Sequence, residues 1–245
     1  MTAVGAAEEA AIIDKLNGLV ERIMGKIADL QDNINSKSRW LPGPLRDKVI
    51  AGWNQFVGAL ERFWEIQREF WGNMGSPSTL WNTADLWSDT VGGPVSGQVP
   101  SAKAGKLQGD NTSNWQGNAA EQYRQGLPLH EVALDKIRSS LSEGISSALS
   151  DLAKGIIAFW AGLGVALAAF VAGMIGAVSS SATIVGLPAA PFIAVGAALA
   201  AGAAFLSGSL ILKSVASSNN STLRQKLNDN SGFDAGHWPK TTTTV

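Results

Sequence analysis

The side chains that most often do chemistry in proteins are scarce in this chain and stand far apart. There is no cysteine, and the only two histidines, His130 and His237, are separated by 107 positions. Zinc sites and Cys–His pairs need several such groups close together. Glu131 and Asp135 lie within about a helical turn of His130, but a solvated helix face accounts for this trio. With no phosphate-binding GxxxxGK[ST] motif either, we predict a protein that is not an enzyme and has neither metal nor cofactor.

The charges are few and unevenly distributed. Charged residues make up 16% of the 245 residues and the net charge is −1, which gives no reason to expect nucleic acid as a partner. Between Lys154 and Lys213 the chain runs for 58 residues without Asp, Glu, Lys or Arg. The N-terminal segment MTAVGAAEEAAIIDK carries acids where a general secretory signal has a basic region, so we expect no such signal.

The first 75 residues predict an amphipathic helical hairpin. Over 8–36, apolar residues recur at alternating spacings of three and four, which is the seam that one helix turns toward another. Prolines at 42 and 44 then bracket Gly43 and separate this helix from a second at about 45–74. The seam consists of Ile13, Leu16, Val20, Ile23, Ile27, Leu30 and Ile34.

The second helix carries a broad aromatic face with two possible roles. Its rings are either the core of the hairpin or, in part, a docking groove for a partner protein, since they exceed what one helix readily covers. The candidate partner-binding residues are Trp53, Phe56, Phe63, Trp64, Phe70 and Trp71.

Residues 76–153 predict a second helical hairpin. A helix at 80–91 is followed by a Gly/Pro/Ser-rich loop with a short helix inside it. Another helix begins after Gly117, where Asn118 and Glu121 have the spacing of a capping box. Pro128 is expected to interrupt or kink that helix. No strand pattern is visible, so the fold class is all-α, with elongated helical hairpins.

Residues 154–215 predict a hydrophobic helical hairpin with a turn at the prolines 188 and 191. A helix over 155–178 would be about 36 Å long, enough for a bilayer core of about 30 Å, and a second helix covers 191–212. Small residues recur every fourth position, as in helices that associate in lipid. A hairpin buried in a soluble bundle would have the same composition, so both alternatives stand. The packing candidates are Ala158, Gly162, Ala166, Gly173, Gly196, Ala200, Ala204 and Gly208.

Two features flank this hairpin. If it inserts from the cytoplasm, Lys154 and Lys213 lie on one side and the uncharged turn on the other. Residues 216–245 are rich in Ser, Asn and Thr and predict a flexible polar tail.

The stretch SNWQGNAAEQY resembles the W-x-G motif of the WXG family, the helical-hairpin proteins of type VII (ESX) secretion systems. It is most similar to the longer actinobacterial kind, in which a hydrophobic Ala/Gly-rich region follows the motif. The resemblance covers roughly residues 79–177. It implies a tight turn at Gly117, close helix approach and a plug at the end of the helix pair. The family's usual export signal places an acid four residues after a tyrosine, but Leu127 occupies that position after Tyr123. The motif residues are Trp115, Gly117, Ala119, Ala120 and Tyr123.

The sequence therefore favours a non-enzymatic protein associated with type VII secretion, a substrate or a partner, with a membrane-interacting hairpin. Two alternatives remain: a pore-forming or membrane-depolarising toxin that uses residues 155–212, and a membrane-anchored scaffold that is not exported. Expected partners are the lipid bilayer, another WXG-like protein or secretion component, and a second copy of the chain. The expected location is the membrane or, after type VII export, the outside of the cell.

Overall fold

The computed structural model describes residues 5–71, 75–99, 116–233 and 235–240, and this part of the chain contains helices and no strand. The all-α prediction is confirmed. Within these described ranges, seven α-helices are joined in places by short 3₁₀ or π turns. They are α1 (Ala6–Lys37), α2 (Gly43–Trp71), α3 (Pro77–Trp87), α4 (Gly93–Gln98), α5 (Asn118–Lys136), α6 (Glu143–Ser181) and α7 (Ala190–Leu227).

The helices form two compact units, which differ from the expected division along the chain. The first, called the bundle unit, contains Met1–Pro77 and Lys154–Ser214. It therefore combines the N-terminal hairpin with the hydrophobic hairpin instead of leaving each by itself. The second unit contains Ser78–Ala153 and Val215–Val245. Both boundaries near the hydrophobic hairpin fall inside a continuous helix.

Within the bundle unit the two hairpins lie side by side in parallel. Leu16 faces Gly164, and the Asn33 side chain donates a hydrogen bond to the Ser181 hydroxyl. In each pair the two residues are separated by 148 positions. α1 and α6 therefore run in the same direction. Gly52 lies against Phe192, and Gly202 lies near Phe63, so α2 and α7 also run in parallel. Both hairpin turns consequently lie at the same end of the bundle unit.

The core of this unit follows the predicted spacing. On α1 the buried residues Leu16, Ile23, Leu30 and Ile34 all belong to the seam. On α2 the buried Val49, Phe56 and Phe63 repeat every seven residues. A heptad repeat keeps one stripe facing a neighbouring helix, and the rings of Phe63 and Phe170 meet edge to face with centroids 5.4 Å apart. The stripes of α1 and α2 thus cover α6.

The second unit contains two π turns, Ser88–Gly92 and Ile137–Ser142. They approach closely, because the Ser142 hydroxyl donates a hydrogen bond to the Trp87 carbonyl oxygen over 2.9 Å. A Cβ atom on Gly92 would lie 2.5 Å from the Ser142 Oγ, too near for any real contact. Gly92 is therefore the residue that lets the two turns touch.

Helix α5 has neither the predicted capping box nor an interruption at Pro128. Its N-cap is Gly117, with φ of 101°, and no side chain caps it, so the capping box at Asn118 and Glu121 is wrong. A positive φ suits glycine because a Cβ atom is strained there. The helix continues through Pro128 to Lys136, so proline does not end it.

The tail predicted to be flexible from residue 216 is corrected in two respects. α7 runs on to Leu227, and the chain beyond it folds back onto α5. Lys136 forms an ion pair with Asp229, and the Trp238 ring lies 5.7 Å from that of His130. Hydrogen bonds from Lys136 and Ser231 hold the pKa of Asp229 well below its usual range. Serine and asparagine are poor helix formers but not prohibitive ones, and tertiary contacts override their preference.

Gly92→Ala is expected to lower the free energy of unfolding by about 1–3 kcal/mol, the usual cost of overpacking a close contact. Ser142→Ala removes the atom that the new methyl group meets, so the double variant is expected to lose less stability than the two single variants added together. Urea denaturation of the four proteins measures this coupling. Strict additivity would mean that Gly92 and Ser142 do not constrain one another.

Candidate membrane-interacting surface

Helix α7 buries its small side chains and exposes its large ones. Within the bundle unit its buried positions are mostly alanine: Ala190, Pro191, Ala194, Ala198, Ala201 and Phe205. Its exposed large residues are Phe192, Ile193, Leu199, Leu206, Leu210 and Ile211. A surface helix of a soluble protein has the opposite arrangement, with large apolar residues turned to the core. We call these six residues the outer face of α7.

The first helix of the hydrophobic hairpin buries most of its bulky side chains. Ile156, Phe159, Trp160, Leu163, Leu167, Phe170 and Met174 of α6 are all buried. In the part of the chain that is described, two helical stretches are long and apolar enough to cross a membrane, Asn118–Ser181 and Ala190–Leu227. The most apolar window is 44% buried in the former and 17% in the latter. A core helix of a soluble protein meets the same criterion of length and composition, so exposure singles out α7.

The enclosure of α6 is incomplete on one side. Val165 is 72% exposed, and it lies between two apolar grooves. A groove of about 460 Å³ runs along α1, where Leu16, Trp160 and Gly164 form part of its wall and Lys15 its only charged side chain. Within the bundle unit, α6 is accessible along one face, which is mostly Ala and Gly and includes Val165.

Some of the predicted small residues of the hairpin lie where α6 and α7 touch, and others line a groove between the two helices. α6 and α7 come closest at Gly173, where an added Cβ atom would overlap the Cβ of Ala197. At Gly208 an added Cβ would lie 3.2 Å from the Phe159 ring. Between these points the helices leave a groove of about 350 Å³. Its lining includes Gly162, Ala166, Gly173, Ala200 and Ala204.

Two predicted packing positions make no such contact. Ala158 is exposed, and an added Cβ at Gly196 would meet nothing within 4 Å. The fourfold repeat therefore does not form one continuous tight interface.

The aromatic face of α2 belongs mainly to the core. Phe56 and Phe63 are buried, at 0% and 2% exposure, so these two do not form a docking groove. Trp53 and Trp64 are half-buried and stack against the same two phenylalanines, with ring centroids 5.6 and 5.0 Å apart. The side chains of Phe70 and Trp71 lie outside the described residues.

A polar contact that the sequence did not predict closes the turn end of the hairpin. The Lys37 ammonium donates hydrogen bonds to the carbonyl oxygens of Ser181 and Ala182, over 3.0 and 2.9 Å. These are orphan acceptors at the C-terminus of α6, where a positive charge is favourable. In the sequence, the only feature that pointed to this contact was a lysine in the last turn of α1. Such a lysine is too common to indicate a partner 144 positions away.

Four of the five W-x-G motif residues lie in the described part of the chain. Trp115 lies outside the described residues. Gly117 makes the turn that begins α5, and Ala120 is fully buried, while Ala119 is exposed and Tyr123 half-buried.

The titratable trio on α5 does not form a site. His130 is not on a solvated face, since its ring packs near Trp238 and its Nε2 is buried, with no hydrogen-bond partner in the described chain. Asp135 pairs with Arg138 at 2.7 Å.

A comparison of the chain with protein-family models, with curated proteins and with solved structures finds no match.

Gly173→Ala is expected to lower the melting temperature, whereas Gly196→Ala is expected to leave it unchanged or raise it. Both changes improve helix propensity by up to about 1 kcal/mol, but only the first forces a methyl group into Ala197. Thermal unfolding followed by circular dichroism makes the comparison. Ala197→Gly in the Gly173→Ala background is expected to restore stability. Equal behaviour of Gly173→Ala and Gly196→Ala would contradict close packing at this point.

Proposed function

We propose that this chain is a non-enzymatic, WXG-like helical protein of a type VII secretion system, a substrate or a partner, that acts on a lipid bilayer. The observation that carries the membrane part is the inverted arrangement of α7. Fully burying a Leu or Ile side chain contributes roughly 1.5–3 kcal/mol. Along the outer face, the bundle unit does not provide this stabilisation, because the large side chains remain exposed. Burial in the hydrocarbon of a bilayer provides it.

The secretion part rests on the W-x-G stretch and on the conformation of Gly117. A glycine with positive φ immediately before α5 fits a motif whose glycine makes a tight turn. Ala120 at full burial fits the close helix approach that the motif implies. The lack of an acid after Tyr123 favours export together with a partner that carries the signal.

A pore-forming activity is the second candidate, and one feature of the hairpin favours it. α6 and α7 are each long enough to span hydrocarbon, and small residues line the groove between them. In lipid, further helices pack into such grooves, so that several hairpins would associate. A membrane anchor that stays in the producing cell needs the same outer face but no association between hairpins.

The membrane role is tested by the paired change Leu206→Ser/Leu210→Ser on the outer face. We expect it to weaken binding to vesicles at least about tenfold, because two leucines lose their burial in hydrocarbon. The matched control is Leu86→Ser/Leu129→Ser, two leucines of the second unit that are similarly exposed, at 62% and 51% against 46% and 66%. Co-sedimentation with vesicles measures binding, and release of an enclosed dye separates a pore former from an anchor. Equal loss in both pairs would remove the argument for the outer face.

The secretion role is tested by export from a host with an intact type VII system and from the same host lacking its ATPase. Gly117→Ala is expected to reduce the amount in the culture filtrate several-fold, since φ of 101° strains any side chain there. Gly97→Ala is the control, because nothing lies within 4 Å of an added Cβ at that position. Export that does not depend on the ATPase would contradict the proposed system and leave the membrane role untouched.

A further inference from the structure

The two hairpin turns of the bundle unit form one surface, which we call the bundle tip (residues 37–50 and 182–193). Their proximity follows from contacts at three points. Lys37 bonds the carbonyl oxygens of Ser181 and Ala182, Lys48 Nζ lies 5.9 Å from the centre of the Phe192 ring, and an added Cβ at Gly52 would be 3.0 Å from both Phe192 and Pro191.

The apolar part of the bundle tip is exposed and rich in bulky residues. Val185, in the turn between α6 and α7, is 93% exposed, and Ile184 beside it is 51% exposed. Trp40, in the turn between α1 and α2, is 68% exposed. Folded soluble chains seldom leave bulky residues protruding together from two adjacent turns, and such patches mark sites of interaction with proteins or membranes.

The charges of the bundle tip are mostly positive. Between positions 37 and 48 the chain has four cations and one acid, Asp47. Lys37 is occupied by the hairpin turn, while Arg39, Arg46 and Lys48 are exposed. The hairpin turn itself has no charge. Cations therefore flank an apolar, uncharged protrusion without entering it.

We propose that the bundle tip docks on the surface of an anionic lipid bilayer, with the turn between α6 and α7 entering first. The proposal rests on the membrane role above and adds the lipid class and the orientation. Tryptophan favours the boundary between headgroups and hydrocarbon, and Lys or Arg side chains near it are attracted to anionic lipids. On this surface the apolar turn lies beside cations on the neighbouring turn. That combination matches the hydrocarbon and the headgroup phosphates of an anionic bilayer, a match that a protein partner would not require.

Docking in this orientation acts on the contact that closes the hairpin. A lipid phosphate beside Lys37 competes with the carbonyl oxygens of Ser181 and Ala182 for the same ammonium group. Release of that contact loosens the turn from α1, which is otherwise held there by the Lys37 contacts together with the Asn33–Ser181 hydrogen bond. The turn carries no charge to oppose its entry into hydrocarbon.

The test is binding of the full chain to vesicles of phosphatidylserine and phosphatidylcholine, against vesicles of phosphatidylcholine alone. We expect preference for the anionic vesicles, lost on addition of salt. Arg39→Glu/Arg46→Glu is expected to weaken binding to them about 30-fold or more, because each cation near an anionic surface contributes roughly fivefold. The control Arg62→Glu/Arg68→Glu changes the net charge equally at exposed positions farther along α2 and is expected to bind nearly as the unaltered chain does.

A second readout reports position rather than affinity. Since the chain has no cysteine, Val185→Cys gives a single site for an environment-sensitive fluorophore at a fully exposed position. Its emission is expected to shift to the blue on anionic vesicles, while the same label at Glu61→Cys stays unshifted. A Val185 label that remains in water on bound protein would overturn the orientation.

The remaining outcomes separate this proposal from the one on which it rests. Equal weakening by both arginine pairs, or none by the tip pair, would overturn docking through the bundle tip. If binding is then still lost in Leu206→Ser/Leu210→Ser, the membrane role stands without it. Binding to neither kind of vesicle would overturn both. Melting curves of every variant establish that the fold is kept.

Discussion

The constraint that shapes the bundle unit is the need to shield from water the part of α6 beyond Lys154, which carries no charge. α6 carries most of its bulky residues on one face, and leaving them in water would cost roughly 25 cal/mol for each Å² of apolar surface. The stripes of α1 and α2 provide the cover, with Leu16 facing Gly164 and Phe63 meeting Phe170. The parallel arrangement of the two hairpins provides this cover and brings both turns to one end.

The same constraint is met differently in α7. Its inward positions are mostly alanines, and the helix approaches α6 closely at Gly173 and Ala197. Close approach by small residues brings backbone atoms into van der Waals contact but buries little apolar area. The large residues consequently remain outside. One helix of the hairpin thus packs its bulky side chains against α1 and α2, while the other leaves most of its large apolar side chains exposed.

Sequence patterns predicted what depends on neighbours along the chain, but not which helices meet. The alternating spacing on α1 correctly identified Leu16, Ile23, Leu30 and Ile34 as a buried stripe, because helical periodicity is local. It did not say that the stripe would face α6 as well as its own hairpin. Phe56 and Phe63 had no local feature that separated core from docking surface. The Lys37 contact depends on a residue 144 positions away. Gly117 took the cap that Asn118 was expected to provide, because a positive φ is invisible in composition.

In the proposed role, the enclosed and inserted forms compete through α1 and α2. Insertion of the hairpin exposes Phe56 and Phe63, which no longer have α6 and α7 to cover them, and this opposes the change. The enclosed form has costs of its own. Gln67 is buried, and its side-chain nitrogen has no hydrogen-bond partner among the described residues, and such a group typically costs about 1–3 kcal/mol. The outer face of α7 adds several exposed large residues to that side of the balance. A bilayer that covers the outer face therefore favours the inserted form, whereas the uncovering of the α1 and α2 stripes and the loss of the Lys37 contacts oppose it.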